Sequence, residues 1–127
     1  MTDQHQIEIE TFCLGPYQTN CYIVRSSRPD GSEACWVSDV SFNSGPLFAR
    51  LGELGLTPEA FVLTHAHVDH IAGLFDAKKR FPDTPIWIHE AEELWLLDAE
   101  RNLSALSPMP MTAPPADRLF VDGEELE

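Results

Sequence analysis

The apolar run AFVLT at residues 60–64 is followed at once by HAHVDH, which holds three of the chain's five histidines. A short, continuously apolar run is typical of a strand that is buried in a helix-covered sheet. Ligand sites in such sheets gather at the carboxyl ends of the strands, in the turn before the next helix. The sequence therefore predicts a central strand at 60–64 with a functional site directly after it.

The spacing of apolar residues is typical of strands in the first third of the chain, and helical spacing appears in later segments. The first third alternates apolar and polar side chains between turn signals, which predicts three strands in an antiparallel meander. Later segments alternate between strand and helix, so the fold class is α/β, with helices covering a mixed sheet. The predicted strands are 7–12, 20–26, 33–39, 60–64 and 85–89, with helices at 46–54, 70–81 and 90–103, a proline-rich loop at 104–117, and a strand and turn from 118 onward. Pro46 suits the first turn of the first helix, and Gly55 suits its C-terminal cap.

Charge and composition exclude several classes of partner. The chain has 127 residues, suited to a single domain, and a formal net charge of −13, which repels phosphate backbones. We therefore expect neither nucleic-acid nor membrane binding. No secretory signal is visible at the N-terminus, and the three cysteines lack C-x-x-C spacing, so we interpret them as buried strand residues of a cytoplasmic protein.

The spacing of the polar stretch suggests how its side chains converge. If residues 65–69 are extended, His65, His67 and Asp69 point to one side, while His70 projects from the start of the next helix. Imidazole and carboxylate groups are ligands of zinc, iron and manganese. The alternative is that Asp69 caps the helix and the histidines bind loop carbonyls. Three imidazoles beside one carboxylate favour the metal site.

The motif H-x-H-x-D-H, preceded by Thr64 and followed by IAGL, resembles the metallo-β-lactamase superfamily of metal-dependent hydrolases. Other segments resemble that family in the same order along nearly the whole chain: NCYIV, WVSDVSFNSG, PIWIHEAE and LFVDGEELE. In WVSDVSFNSG, Val40 and Ser41 stand where the family often has Pro and Gly. The resemblance implies the N-terminal half of an αββα sandwich, with helices on one face of a mixed sheet.

The resemblance also implies roles for the motif. His65 and His67 would bind a first metal, and Asp69 and His70 a second, with zinc expected and iron or manganese as alternatives. Asp69 would also orient the attacking water as the catalytic residue. The family takes further ligands from downstream segments, and no histidine follows His89 in this chain. We therefore expect residues 1–127 to be a single, truncated domain of this type.

Two other polar residues at predicted strand ends are candidates for supporting roles. Asp39 is either a partner that orients a metal-bound histidine or a turn cap. His89 is expected to form hydrogen bonds or packing contacts at the rim of the site rather than to bind metal.

Two functions of different classes follow from these observations. The first is a glyoxalase-II-like zinc hydrolase acting on a thioester or related acyl compound, with an iron-dependent persulfide dioxygenase as a neighbouring possibility. The second is a non-catalytic, metal-binding half-domain or an inactive fragment. An uncovered sheet edge would favour a homodimer or aggregation in that second case.

Overall fold

The computed structural model describes residues 7–28, 30–64, 67–99, 101–102 and 113–121, and these residues form a six-stranded sheet. The strands lie in chain order. The first three are antiparallel and the last four are parallel to one another, which confirms the meander and the mixed sheet. The strands are β1 (Ile7–Leu14), β2 (Thr19–Ser27), β3 (Glu33–Ser38), β4 (Ala60–Val62), β5 (Ile86–His89) and β6 (Arg118–Phe120).

In the described part of the chain, three α-helices pack on the sheet: α1 (Gly45–Leu54), α2 (Val68–Ile71) and α3 (Leu74–Arg80). The predicted continuous helix over 70–81 is wrong, because it is divided at Gly73. The backbone N–H of Gly73 donates to the carbonyl of Val40 at 2.9 Å. A Cβ at Gly73 would lie 2.5 Å from the carbonyl oxygen of Ser41, so only glycine allows this approach. The division therefore brings the segment after β3 against the end of α2.

The α-helix predicted over 90–103 is also wrong. The chain forms a 3₁₀ helix over Glu90–Leu97, and the backbone of Asp98 is extended. Only Leu96 of this helix is fully buried, whereas Leu94 and Leu97 are more than half exposed. Because its apolar side chains do not share one face, the segment lacks the stripe that stabilises an α-helix by packing.

The core lies between the three α-helices and one face of the sheet. It joins side chains such as Ile23, Val37 and Phe61 from the strands to Leu51 and Leu74 from the helices. This arrangement confirms helices on one face of the sheet and fixes the strand ends on which the candidate site is built.

The three cysteines are free, and all lie in strands. Cys21 and Cys35 are buried, and burial raises the pKa of each thiol to about 11. The prediction of burial is wrong for Cys13, because its position on the edge strand β1 leaves it exposed. Among the described residues, no helix has the length and apolar character needed to cross a membrane.

Candidate metal centre

The candidate site lies at the edge of the sheet where β3 and β4 end and β2 begins. Because β2 runs antiparallel to β3, its first residues lie beside the last residues of β3. Because β3 and β4 are parallel, the segments that follow them leave the sheet at the same edge. The segment after β4 leads into α2, which carries Asp69 and His70. Three separate parts of the chain thus meet where parallel sheets place their ligands.

Asp39 follows β3 directly and is only 1% exposed. Its Oδ1 accepts a hydrogen bond from the backbone N–H of Thr64 at 2.8 Å, and its Oδ2 accepts one from the Thr64 hydroxyl at 2.7 Å. Oδ2 also lies 2.9 Å from Nδ1 of His70. The backbone of Asp39 is left-handed, with φ of +66°, a conformation that aspartate tolerates better than most residues. Its carboxylate therefore connects the end of β4 to α2 rather than bonding within its own turn.

His70 lies between two carboxylates. Its Nδ1 faces Asp39, and its Nε2 lies 3.4 Å from Oδ2 of Asp69. Burial alone would lower the pKa of His70, but the hydrogen bond to Asp39 and the charges of Asp39 and Asp69 raise it above its ordinary value. When Nδ1–H donates to Asp39, the lone pair of the neutral ring is on Nε2, the nitrogen that faces Asp69. Asp39 thereby selects the tautomer that can bind a metal beside Asp69.

Asp69 lies in the first turn of α2, whose N-cap is His67. Its Oδ2 accepts a hydrogen bond from the Thr19 hydroxyl at 2.8 Å. The 3.4 Å between Oδ2 and His70 Nε2 is longer than a good N–H···O hydrogen bond. Two ligands of one tetrahedral zinc ion, each about 2.0–2.1 Å from the metal, are also about 3.4 Å apart. The donor types and their spacing therefore fit a shared metal ion.

His67 is held by an aromatic contact. Its ring stacks on Trp95 of the 3₁₀ helix, with 5.6 Å between ring centroids and 24° between planes. The next residue, Val68, donates its backbone N–H to the carbonyl of Asn102 at 2.7 Å. The expectation of an extended backbone over 65–69 is wrong for residues 68 and 69, because α2 already begins at Val68. Simple alternation therefore does not bring His67 and Asp69 together.

The other half of the predicted first metal site, His65, lies outside the described residues. Within the part of the chain that the structure describes, no group of three or more His, Cys, Asp or Glu side chains is placed to hold a metal ion. Of the predicted ligand set, Asp69 and His70 form the pair whose side-chain atoms lie close together in the described structure.

His89 ends β5 and has contacts of the kind expected for a residue at the rim. Its Nδ1 accepts a hydrogen bond from the backbone N–H of Ala91 at 3.0 Å, and its ring meets Phe120 edge to face at 5.9 Å between centroids. These contacts orient the ring toward the start of the 3₁₀ helix and toward β6. A role for His89 in supporting the metal site stays a prediction.

A cleft of about 410 Å³ opens beside Asp69 and His70. Its walls combine two carboxylates with hydroxyl, amide and phenol groups, and no Lys or Arg is among the described residues that line it. Such a cleft suits a divalent cation together with an uncharged polar group of a substrate. It is lined by Tyr17, Gln18, Thr19, Asn20, Tyr22, Asp39, Thr64, Asp69 and His70.

Sequence patterns do not reveal the polar contacts made by Thr19 and Thr64 or the ring contact made by Trp95. Thr19 lies 50 residues before its partner Asp69, and no periodicity links residues that far apart. In the sequence, Thr64 is identified only as the residue that precedes the motif. Trp95 belongs to the segment 90–103, for which the sequence predicts only a helix.

Comparison with known families places these features in context. The chain matches the family described as the metallo-beta-lactamase superfamily over residues 14–127. It is 38% identical over 113 residues to the probable metallo-hydrolase YqgX of Bacillus subtilis, covering 87% of this chain and 51% of that protein. It is 34% identical over 58 residues to a hydroxyacylglutathione hydrolase of Yersinia enterocolitica, covering 46% of this chain and 23% of the enzyme. The chain thus spans about half, or less, of the length of these relatives.

Solved structures show the same fold. The BLEG-1 B3 metallo-beta-lactamase superposes with a TM-score of 0.80 at 32% identity, over 94% of this chain and 56% of that chain. TTHA1623, solved in a di-iron-bound form, superposes with a TM-score of 0.67 at 28% identity, over 92% of this chain and 56% of that chain.

Proposed function

The chain belongs to the metallo-beta-lactamase superfamily, and we propose that it carries the first metal-ligand motif of a zinc-dependent hydrolase. The proposed substrate is a thioester or related acyl compound. The likeness to a hydroxyacylglutathione hydrolase supports this choice, although it covers less than half of the chain.

The observation that carries the proposal is the orientation of His70. The Nδ1 of His70 lies at hydrogen-bond distance from the buried Asp39, while Nε2 faces the carboxylate of Asp69. A histidine that binds a metal through one nitrogen commonly donates its other N–H to a carboxylate, which fixes the ring and raises its basicity. This arrangement supports a ligand pair over two polar residues that meet by chance at a helix start.

Each residue has a distinct role in the proposed reaction. Asp69 and His70 would hold one metal ion, and His67 together with His65 would hold another. A zinc ion bound there would supply a nucleophile at neutral pH by lowering the pKa of water to about 7, and it would polarise the substrate carbonyl. Asp69 orients the attacking water, and Asp39 keeps the proton of His70 on Nδ1. The uncharged polar wall of the cleft holds the acyl part of the substrate.

The proposal is tested by measuring zinc, iron and manganese together in the purified chain by elemental analysis. We expect zinc to be bound, His67→Ala to remove most of it, and Asp69→Asn to reduce occupancy of the second site and weaken the start of α2. Asp76→Asn is the matched control, because Asp76 is an exposed aspartate in the first turn of α3. Zinc content that is the same in all four proteins would contradict the ligand assignment.

Activity is tested separately, by following hydrolysis of a hydroxyacylglutathione thioester with the zinc-loaded chain. Turnover that disappears in Asp69→Asn but persists in Asp76→Asn supports the hydrolase. Zinc binding without turnover favours the second candidate, a metal-binding half-domain. That candidate is supported by the observation that no set of three potential ligands converges among the described residues.

A further inference from the structure

Thr19 is a buried threonine whose hydroxyl points at a proposed metal ligand. It is the first residue of β2, only 5% of its surface is exposed, and its Oγ1 lies 2.8 Å from Oδ2 of Asp69. A buried hydroxyl needs a hydrogen-bond partner, and a hydrogen bond to a charged group is stronger than one between neutral groups. This contact joins the β1–β2 hairpin to α2 across 50 residues of sequence.

The backbone that carries Thr19 is fixed independently of Asp69. The turn before it is closed by a hydrogen bond from the backbone N–H of Gln18 to the carbonyl of Gly15 at 3.1 Å. Gly15 has φ of +76°, and a Cβ there would lie only 3.0 Å from Cβ of Phe42. Glycine therefore lets the turn pack against the segment that follows Asp39. Thr19 is thus placed by the hairpin and by its pairing with Leu14 on β1.

The hydrogen bond restricts the rotation of the Asp69 carboxylate. An aspartate in the first turn of a helix otherwise has several rotamers open to it. With Thr19 bound to Oδ2, that oxygen stays 3.4 Å from Nε2 of His70, the spacing of two ligands on one metal ion. Asp39 orients His70 from one side, and Thr19 is placed to orient Asp69 from the other.

We propose that Thr19 is a positioning residue of the metal site, whose hydroxyl holds Asp69 in the orientation that binds metal together with His70. The inference rests on the proposed function, because it assumes that Asp69 and His70 share a metal ion. It extends the site to the β1–β2 hairpin, a part of the chain outside the histidine motif.

The test compares Thr19→Val with Thr19→Ser. Valine has nearly the same shape and suits a strand but lacks the hydroxyl, whereas serine keeps the hydroxyl. Zinc affinity is measured by competition with a chromophoric chelator, and the Co²⁺-loaded proteins are compared by visible absorption. We expect Thr19→Val to bind zinc roughly tenfold more weakly, at the lower end of the effect usual for residues that support metal ligands. Thr19→Ser is expected to restore both the affinity and the spectrum.

Thr84→Val is the matched control. Thr84 is also a buried threonine, 4% exposed, and its hydroxyl donates to the carbonyl of Pro58 at 2.9 Å, away from the site. We expect this variant to lose thermal stability without losing zinc affinity. If Thr19→Val also lowers thermal stability without lowering zinc affinity, the positioning role is overturned, because the Thr19 hydroxyl would then have only a structural role.

Two further outcomes separate this inference from the proposed function. If the wild-type chain binds neither zinc nor cobalt, the proposed function fails, and the positioning role fails with it. If the wild type binds metal and Thr19→Val binds it equally well, only the positioning role is overturned. In an Asp69→Asn background, Thr19→Val should cause no further loss of affinity. If the losses of zinc affinity caused by Thr19→Val and Asp69→Asn simply add in the double variant, Thr19 acts on zinc binding through a contact other than its hydrogen bond to Asp69.

Discussion

The two sides of the candidate site are held by different kinds of contact. On the side formed by Asp39, Asp69 and His70, here called the carboxylate side, hydrogen bonds join strand ends to α2. On the side formed by His67, here called the ring side, the ring stacks on Trp95 of the 3₁₀ helix. A hydrogen bond to one ring nitrogen determines which nitrogen of a histidine carries the proton, whereas ring stacking fixes only the plane of the ring.

If a metal ion binds here as proposed, this difference predicts which side would specify its geometry. A ligand whose second nitrogen donates to a buried carboxylate is oriented before the metal arrives, which is the usual means of raising metal affinity. The carboxylate side has this arrangement at His70. On the ring side, the ring of His67 is positioned by its stack on Trp95 of the 3₁₀ helix. Among the residues that orient the proposed ligands, substitution of Asp39 on the carboxylate side should therefore affect both metal binding and stability more strongly than substitution of Trp95 on the ring side.

The largest effect is expected for Asp39→Ala. The two donors of Thr64 and the Nδ1–H of His70 lose this acceptor, which costs at least about 1 kcal/mol each, so the free energy of unfolding should fall by roughly 3 kcal/mol. Zinc affinity should fall as well, because the ring of His70 is no longer oriented. Chemical denaturation and chelator competition measure the two quantities.

Asp39→Asn and Asp83→Ala are the controls for that change. Asparagine keeps a side-chain oxygen and tolerates the left-handed backbone, so Asp39→Asn should lower the free energy of unfolding less than Asp39→Ala does. Asp83 is an exposed aspartate between α3 and β5, and its replacement should shift stability by less than about 0.5 kcal/mol. Equal effects for Asp39 and Asp83 would remove the distinction between the two sides of the site.

The next effect in size is expected for Gly73→Ala, which alters the packing beneath the carboxylate side. The new Cβ would lie 2.5 Å from the carbonyl oxygen of Ser41 and 2.6 Å from Cγ1 of Val40, so α2 and the segment after β3 must separate. We expect a loss of about 1–3 kcal/mol in the free energy of unfolding. Thermal and chemical unfolding provide the measurement.

Gly52→Ala is the control, and it is expected to change stability in the opposite direction to Gly73→Ala. Gly52 lies within α1, and a Cβ there would meet no atom within 4 Å, so alanine should stabilise the chain by about 0.5–1 kcal/mol. If Gly73→Ala were also stabilising, the close approach of α2 to the segment after β3 would be wrong.

Local sequence patterns predicted the elements whose determinants are local. Helix α1 has its proline in the first turn and Gly55 as its C-terminal cap, with φ of +66°. The strand at 60–64 appears as β4, and the motif follows it at the expected edge of the sheet. Both elements are determined by the hydrophobic period and the terminal residues of a single segment.

The features that the sequence did not predict depend on contacts between distant segments. At the break, the backbone N–H of Gly73 donates to the carbonyl of Val40, and the hydrogen bond of Asp69 comes from a strand 50 residues earlier. The apolar residues of 90–103 suggested an α-helix, but only Leu96 of the 3₁₀ helix reaches the core. No local pattern encodes which segment will pack against another.

A smaller effect is expected for Trp95→Leu, which removes the stack on His67 but keeps an apolar side chain. The loss of an aromatic pair should cost about 1 kcal/mol of stability. Zinc affinity should fall less than in Asp39→Ala. Trp36→Leu is the control, because Trp36 pairs with Trp87 at 5.3 Å between centroids instead of with a motif histidine. A larger loss of zinc affinity for Trp95→Leu than for Asp39→Ala would reverse the ranking of the two sides.

The smallest effect on metal binding is expected for His89→Ala. Its ring accepts a hydrogen bond from the backbone N–H of Ala91, so alanine should cost about 1 kcal/mol of stability, as at other helix caps. His89→Asn keeps an acceptor at this position and should recover part of that loss. Zinc content should be unchanged in both variants, because the ring is oriented toward the helix start and Phe120. If His89→Ala lost zinc as His67→Ala is expected to do, His89 would be a ligand, and the carboxylate side would not be alone in specifying the metal geometry.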